Sequence, residues 1–143
     1  MNEKTEQELN TFIDEWKETA DKNKSGNKES FLHFKNYLAK KDGVTLDFVA
    51  RPGVTYSLRA VHANQKTKNL FVMVDVIEDV SRWLSICFYG EMVTDVEKRG
   101  DFVPGGLMGE DAVCFDLVEH DEVLIKYIET RLDEACSSAA ASS

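Results

Sequence analysis

The chain has 143 residues, of which 43% are apolar and 30% charged, with only two prolines and eight glycines. This composition is typical of one folded globular domain. Acidic residues outnumber basic ones by 26 to 17, and the net charge of −9 opposes binding to nucleic-acid phosphates. No apolar run approaches the roughly 20 residues of a membrane helix, and Met1–Leu9 is too polar for a secretory signal. We therefore expect a cytoplasmic protein without nucleic-acid or membrane partners, with one domain at 1–136 and a disordered low-complexity tail at 137–143.

Three helices are predicted from apolar side chains that recur at helical spacing. The first spans Glu6–Ala20 and the second runs from about Lys28 to Lys41. The third begins after Asp121, which can cap it. Its apolar stripe consists of Leu124, Tyr127, Ile128, Leu132 and Ala135, together with Arg131.

The stretch from Val44 to His62 alternates with period two and predicts a β-hairpin. Its two apolar faces coincide only if paired positions sum to an even number, because a slip of one residue would reverse every side chain. This condition excludes a two-residue Pro52-Gly53 turn and requires a loop with an odd number of residues. Thr45, Asp47, Val49, Thr55, Ser57, Arg59 and Val61 then share the other face.

A three-residue loop at 51–53 pairs Phe48 with Tyr56 and gives Gly53 the left-handed position that such loops need. In this register Arg59 lies opposite Thr45. A five-residue loop or a bulge is the alternative, because Pro52 in second place in a type I turn would push Arg51 out of the helical region.

Further strands are predicted at Leu70–Ile77, Arg82–Tyr89 and Ala112–Val118, with one helical turn at Thr94–Glu97. Leu70–Ile77 is apolar on both faces apart from Asp75, as in a central strand. The glycine-rich segment Asp101–Asp111 shows no secondary structure and is interpreted as a long loop. The fold class is therefore α+β, with two N-terminal helices and one C-terminal helix packed on an antiparallel meander of about five strands.

Three arginines lie in or beside strands, where Thr or Val would be more usual: Arg51, Arg59 and Arg82. A guanidinium is a planar fork suited to carboxylate or phosphate, so these side chains, with Tyr56, are candidate ligands for a small anionic metabolite. The alternative is that each arginine pairs with a nearby acid such as Asp47 or Asp75.

Two sets of apolar side chains are candidates for contact with a protein partner. The glycine-rich segment presents Phe102, Leu107 and Met108, and long loops of this kind are often functional. Trp83 and Tyr89 share one face of their strand. That face is either core or an open surface of the kind that marks partner binding.

No arrangement of acid, base and nucleophile is recognisable, so we expect a non-catalytic protein without metal or cofactor. A cysteine-dependent enzyme would use Cys87 or Cys114 with His62 or His120, but both cysteines lie among apolar residues, as small buried hydrophobes do. The odd number of cysteines without CxxC spacing is typical of a reducing compartment. The acids of Glu119–Glu122 are interpreted as helix capping.

The leading hypothesis is a non-catalytic binding or adaptor module that forms a homodimer, because acidity and apolar surface occur without a catalytic set. The alternative is a sensor or carrier that binds an anionic metabolite through the strand arginines. A cysteine-dependent enzyme is the third hypothesis.

Overall fold

We analysed a computed structural model that describes residues 1–17 and 25–142. These residues form three α-helices, six β-strands and one 3₁₀ turn. The helices are α1 (Glu3–Glu15), α2 (Asn27–Ala39) and α3 (Glu122–Ala140). The strands are β1 (Val44–Arg51), β2 (Thr55–His62), β3 (Val72–Ile77), β4 (Trp83–Tyr89), β5 (Asp101–Leu107) and β6 (Glu110–Leu117), and the 3₁₀ turn is Gly90–Met92.

The strands form one antiparallel sheet in the order β1-β2-β3-β4-β6-β5. The first four strands are a meander, and a terminal hairpin joins it through β6. The predicted α+β class is confirmed, with six strands where about five were expected. None of the described helices is long and apolar enough to cross a bilayer.

The core lies between the helices and one face of the sheet. Phe12 of α1 stacks on Tyr56 with ring centroids 4.2 Å apart and packs against Phe48 at 5.5 Å. In the same core, Tyr127 of α3 packs against Phe115, with ring centroids 5.9 Å apart. The even-numbered residues of β1 to β4 and the odd-numbered residues of β6 face this core. Its largest fully buried side chains include Phe31, Phe34, Phe71, Phe88, Phe115, Leu58 and Ile86.

Helix boundaries differ from the prediction at both ends of the chain. The first helix was predicted to continue to Ala20, but it ends at Glu15, where the Trp16 backbone becomes extended and its indole packs 5.9 Å from Phe31. Residues 18–20 lie outside the described ranges. At the other end, Asp121 caps α3 as predicted. This helix runs on to Ala140, into the segment expected to be a disordered tail, because Ala139 is buried against the core.

The β1–β2 hairpin has an odd loop and coincident apolar faces, as predicted. The pairing itself is displaced by two residues from the expected one: Phe48 lies opposite Leu58, and Asp47 opposite Arg59. The loop is 52–54, because Pro52 and Gly53 form the centre of a turn closed by the Val54 amide on the Arg51 carbonyl at 2.9 Å. Gly53 has φ +82°, which a residue with a Cβ rarely adopts.

The prediction of a loop at Asp101–Asp111 was wrong. The segment is a hairpin whose two-residue turn, Met108-Gly109, has positive φ at both positions, as the twist of a tight hairpin favours. Its strand character is concealed in the sequence because a bulge interrupts β5 between Val103 and Leu107. The helical turn predicted at Thr94–Glu97 is also absent. A hydrogen-bonded turn lies there instead, and the short helix comes earlier, at Gly90–Met92.

Both edge strands of the sheet carry features that oppose pairing with a further strand. The carbonyls of Ala60 and Val54 accept hydrogen bonds from the β3 side, so the even-numbered residues of β2 direct their backbone N–H and C=O groups towards β3. The odd-numbered residues of β2 therefore pair with β1. In β1 it is then the even-numbered residues whose N–H and C=O groups point away from the sheet. At the middle of that edge the Phe48 amide donates to the Asp47 carboxylate at 2.9 Å. The β5 edge carries Pro104 and the bulge. Such features prevent edge-to-edge pairing.

Asn27 joins α2 to the end of the sheet. Its side chain is fully buried, and its amide nitrogen donates to the carbonyls of Arg82 at 2.8 Å and Val118 at 2.7 Å. These carbonyls lie just outside neighbouring strands β4 and β6. One side chain therefore fixes the start of α2 at the point where these two strands meet.

Cys87 of β4 and Cys114 of β6 are directly opposite one another and form a disulfide, with their Cα atoms 4.1 Å apart. The expectation that these were unpaired buried thiols was wrong. Sequence spacing contained no sign of the pairing, because β4 and β6 are separated along the chain by β5. Cys136 is the free thiol of the described residues.

Candidate functional site

The second face of the sheet is covered by none of the helix–sheet packing described above, and we call it the open face. Its members are the odd-numbered residues of β1 to β5 and the even-numbered residues of β6, but at the end of the face nearest the β5–β6 turn Tyr89, Leu107 and Ala112 are buried. The face includes Asp47, Val49, Arg51, Thr55, Ser57, Arg59, Val61, Met73, Asp75, Ile77, Trp83, Ser85, Cys87, Asp101, Cys114 and Asp116.

A row of short polar side chains crosses the middle of the open face. In register these are Ser57, Asp75, Ser85 and Asp116, on four adjacent strands. Ser57 donates a hydrogen bond to Asp75 and accepts one from the Arg59 Nε at 3.2 Å. The row therefore links a guanidinium on one side to a carboxylate at the centre.

Asp75 is the unusual member of this row. Its Oδ1 atom is inaccessible to solvent and has no hydrogen-bond partner among the described residues. Burial raises the pKa of the Asp75 carboxyl above its ordinary value, while the bond from Ser57 and the charges of Arg59 and Arg51 act to lower it. A buried acceptor without a partner costs free energy, so this oxygen destabilises the folded chain.

Apolar side chains flank the polar row on both sides. Met73 and the Cys87–Cys114 disulfide lie on one side, and Ile77 and Trp83 lie on the other. Met73, Ile77 and Trp83 are half-buried although no helix covers them. The open face therefore has a central polar row that contains Asp75, with apolar side chains on both sides of it.

The candidate ligand residues do not converge. Arg51 and Arg59 lie on the open face, at the β1–β2 side. Arg82 lies on the helix side with Tyr56, its guanidinium 5.1 Å from the Tyr56 ring and 5.0 Å from Phe12. Glu78 binds it with both oxygens, at 2.5 and 3.2 Å. Arg82 is therefore better interpreted as the ion-pair partner of Glu78 than as a residue that binds a ligand.

The candidate partner residues are also divided. Trp83 is half-buried on the open face, whereas Tyr89 is buried, with the Lys68 ammonium 4.4 Å from its ring. On the β5–β6 hairpin Phe102 and Met108 are exposed, at 64% and 55%, but Leu107 is buried in the core. Of these five residues, Trp83 alone belongs to the centre of the open face.

The cysteines and histidines do not form a catalytic pair. Cys87 and Cys114 are bonded to each other on the open face, and His62 lies on the opposite face of β2. Elsewhere His120 lies 3.5 Å from the Ser30 hydroxyl and 3.8 Å from Glu122, but Ser30 is buried and directs its hydroxyl to the Gly26 carbonyl. Within the described residues, no group of His, Cys, Asp and Glu is arranged to hold a metal ion.

The sequence contained one signal for the centre of this site. Asp75 is the single polar residue in an otherwise apolar strand, and a carboxylate is rare at a buried position without a pair. What the sequence could not show was that Ser57, Ser85 and Asp116 align with it, since this depends on the register of four strands.

The fold and this face define a class, an α+β protein whose antiparallel sheet is covered on one face by the described helices. No family model matches the sequence, and neither a curated protein nor a solved structure is significantly similar to it. The function is therefore argued from the open face.

Proposed function

We propose that the protein is a non-catalytic binding module that acts as a homodimer, in which the open faces of two copies pack against each other. The observation that carries this proposal is the set of half-buried apolar side chains Met73, Ile77 and Trp83 on a face that the described helices do not cover. A second sheet packed on this face would cover these side chains.

The size of the open face supports a sheet-on-sheet contact. Six strands about 4.8 Å apart, with six residues of about 3.3 Å each, span roughly 25 by 20 Å. Each copy would bury about 500 Å², and the two together about 1,000 Å², which is the lower limit for a specific interface.

The charges on the face give the proposed dimer a register that can be tested. Arg51 and Arg59 lie at the β1–β2 side, and Asp101 and Asp116 lie at the β5–β6 side. A two-fold axis parallel to the strands, between β3 and β4, would place β2 of one copy over β6 of the other. Ser57 would then lie over Asp116 of the second copy, and the Arg59 guanidinium, whose Nε reaches the Ser57 hydroxyl, would be the cation next to that carboxylate.

A charge exchange tests this arrangement. We expect the wild-type protein to have twice the chain mass of 16.2 kDa by light scattering. Arg59→Asp and Asp116→Arg should each raise the dimer Kd about 10- to 100-fold, because like charges then meet across the interface. The double variant restores opposite charges and should recover most of the affinity.

Lys126→Asp, on the exposed side of α3, is the matched control and should leave the dimer intact. Circular dichroism establishes that each variant is folded. A monomeric wild-type protein, or a dimer indifferent to both single exchanges, would contradict the proposal. A monomer stabilised by carboxylates or phosphate in an Arg59-dependent way would support the anion carrier instead.

A further inference from the structure

Three sulfur-bearing side chains form a row across the open face, next to the row that contains Asp75. Met73 on β3 lies opposite Cys87 on β4, and Cys87 lies opposite Cys114 on β6. Directly opposite residues of antiparallel strands have Cβ atoms about 4.5 to 5.5 Å apart. The thioether and the two cysteine sulfurs are therefore neighbours on three adjacent strands, and we call them the sulfur row.

The sulfur row is shielded from bulk water and still reachable by a small ion. Cys87 and Cys114 are each 8% exposed, and Met73 is half-buried. The described helices pack on the other face of the sheet, so the sulfurs are approached from the open face. The Ser85 hydroxyl lies 3.5 Å from the Cys87 Sγ. Because a disulfide sulfur has no hydrogen, this hydroxyl is the donor.

The Cys87–Cys114 bond is not needed to hold the two cysteines in place. They are one of six directly opposed pairs between β4 and β6. Behind them Ile86 and Phe115 are fully buried in the core. A disulfide stabilises a protein mainly by constraining its unfolded chain, so breaking this bond does not separate the strands. The reduced chain keeps both thiols beside Met73.

Reduction changes what the sulfur row can bind. A dithiol breaks the Cys87–Cys114 bond by thiol–disulfide exchange. The two sulfurs of the dithiol become joined, and its two electrons and two protons pass to the cysteines, which become thiols. The thiolate is the form that binds a metal ion, so metal binding then releases the two protons to solvent.

The ligand types in the row favour a soft metal ion. Thiolate and thioether sulfurs select Cu(I). Zinc is bound by Cys, His and carboxylate groups, usually four of them, and the row offers it two thiolates and the exposed Asp101 opposite Cys114.

The spacing of the two cysteines also suits one shared ion. Two sulfurs bound to one ion through bonds of about 2.3 Å lie about 4 Å apart. The Cα atoms of Cys87 and Cys114 are 4.1 Å apart, so rotation about the Cα–Cβ bonds brings their sulfurs to this separation. Met73 has three rotatable bonds, which let its sulfur approach the same ion.

We propose that the reduced chain binds one Cu(I) ion through the thiolates of Cys87 and Cys114 and the thioether of Met73. Two thiolates exceed the charge of Cu(I) by one, and Arg59, opposite Met73 in the same row, is the neighbouring cation. In the oxidised chain the disulfide takes the place of the ion. The site lies within a single chain and does not depend on the proposed dimer.

The test is a titration of the reduced full chain with Cu(I) under argon, after removal of the reductant, in competition with the coloured Cu(I) chelator bicinchoninate. We expect one Cu(I) per chain and a near-ultraviolet absorption from charge transfer between thiolate and copper. The oxidised chain should leave the copper with the chelator. Binding should also recover part of the Tm lost on reduction, because the ion joins β4 to β6 as the disulfide does.

Three variants identify the ligands. Cys114→Ser should lower the Cu(I) affinity about 100-fold or more and Met73→Leu about 10-fold, since even the outer partners of metal ligands contribute 10- to 100-fold. Leucine conserves the volume of methionine. Cys136→Ser is the matched control, because it removes the free thiol on α3, and it should bind as the wild-type chain does. Circular dichroism shows whether each reduced variant is folded.

Several outcomes would overturn the site. They are a reduced chain that takes up no Cu(I) or unfolds on reduction, binding that survives in Cys114→Ser, and binding that is lost in Cys136→Ser. An unchanged affinity in Met73→Leu would overturn the set of three sulfur ligands. None of these results decides whether the chain dimerises, which light scattering of the oxidised protein measures separately.

Discussion

At the scale of single residues, two buried polar side chains each have an oxygen without a partner. The Asn27 amide nitrogen donates to two carbonyls at once, but its Oδ1 has no hydrogen-bond partner among the described residues. The Asp75 Oδ1 has none either. Asn27 is a structural tie through its two donors, so its contribution to stability can be measured directly.

Replacing Asn27 should lower the stability of the folded protein. Asn27→Ala leaves the carbonyls of Arg82 and Val118 without their donor, and we expect the free energy of unfolding to fall by about 2 to 3 kcal/mol. Urea denaturation measures this change. Asn64→Ala is the matched control, since it removes one exposed bond, to the Ala140 carbonyl, and should cost less than about 1 kcal/mol. Equal losses in the two variants would contradict the role of Asn27.

At the scale of elements, the sequence was informative where a pattern is regular and local. Period-two alternation predicted β1, β2 and β4, and it required the odd loop between β1 and β2. A run that is apolar on both faces predicted β3. Alternation did not determine which residues pair across the hairpin. Two registers, displaced by two residues, place the same side chains on each face, and the turn chemistry of Pro52-Gly53 selects between them. Alternation missed β5 entirely, because Pro104 and two glycines belong to a bulge that breaks the alternation.

The edge of β1 gives a prediction at this scale. Asp47→Ala removes the acceptor of the outward Phe48 amide, so the edge becomes available to another strand. We expect thioflavin-positive aggregates on prolonged incubation at high protein concentration. Asp47→Asn loses the same charge but keeps a side-chain acceptor, and it should remain clear. Aggregation of both variants alike would show that the charge, rather than the hydrogen bond, protects the edge.

At the scale of the whole molecule, the sheet is held together by contacts between residues that are far apart in the sequence. The Cys87–Cys114 disulfide joins β4 to β6 across a sequence separation of 27, and it lies within the open face. An odd cysteine count predicted free thiols and a reducing compartment. The pairing of two non-consecutive strands corrects the first expectation, and a cytoplasmic location remains a prediction.

Thiol counting tests the disulfide. Protein purified without reductant should show one thiol reactive to Ellman's reagent after unfolding, Cys136, and three after reduction. Closure of a loop of this length stabilises by about 3.6 kcal/mol in the chain-entropy account, so reduction should lower the Tm by roughly 7 to 14 °C. Cys136→Ser should leave the Tm shift unchanged. Three thiols in the unreduced protein would contradict the pairing.

The edges of the sheet also bear on how many copies could associate. Asp47 at β1, and Pro104 with its bulge at β5, oppose strand-to-strand growth. In the proposed dimer a two-fold contact through the open face uses up that surface on both copies. Such an assembly would end at a stoichiometry of two, and raising the concentration would fill dimers without building fibres.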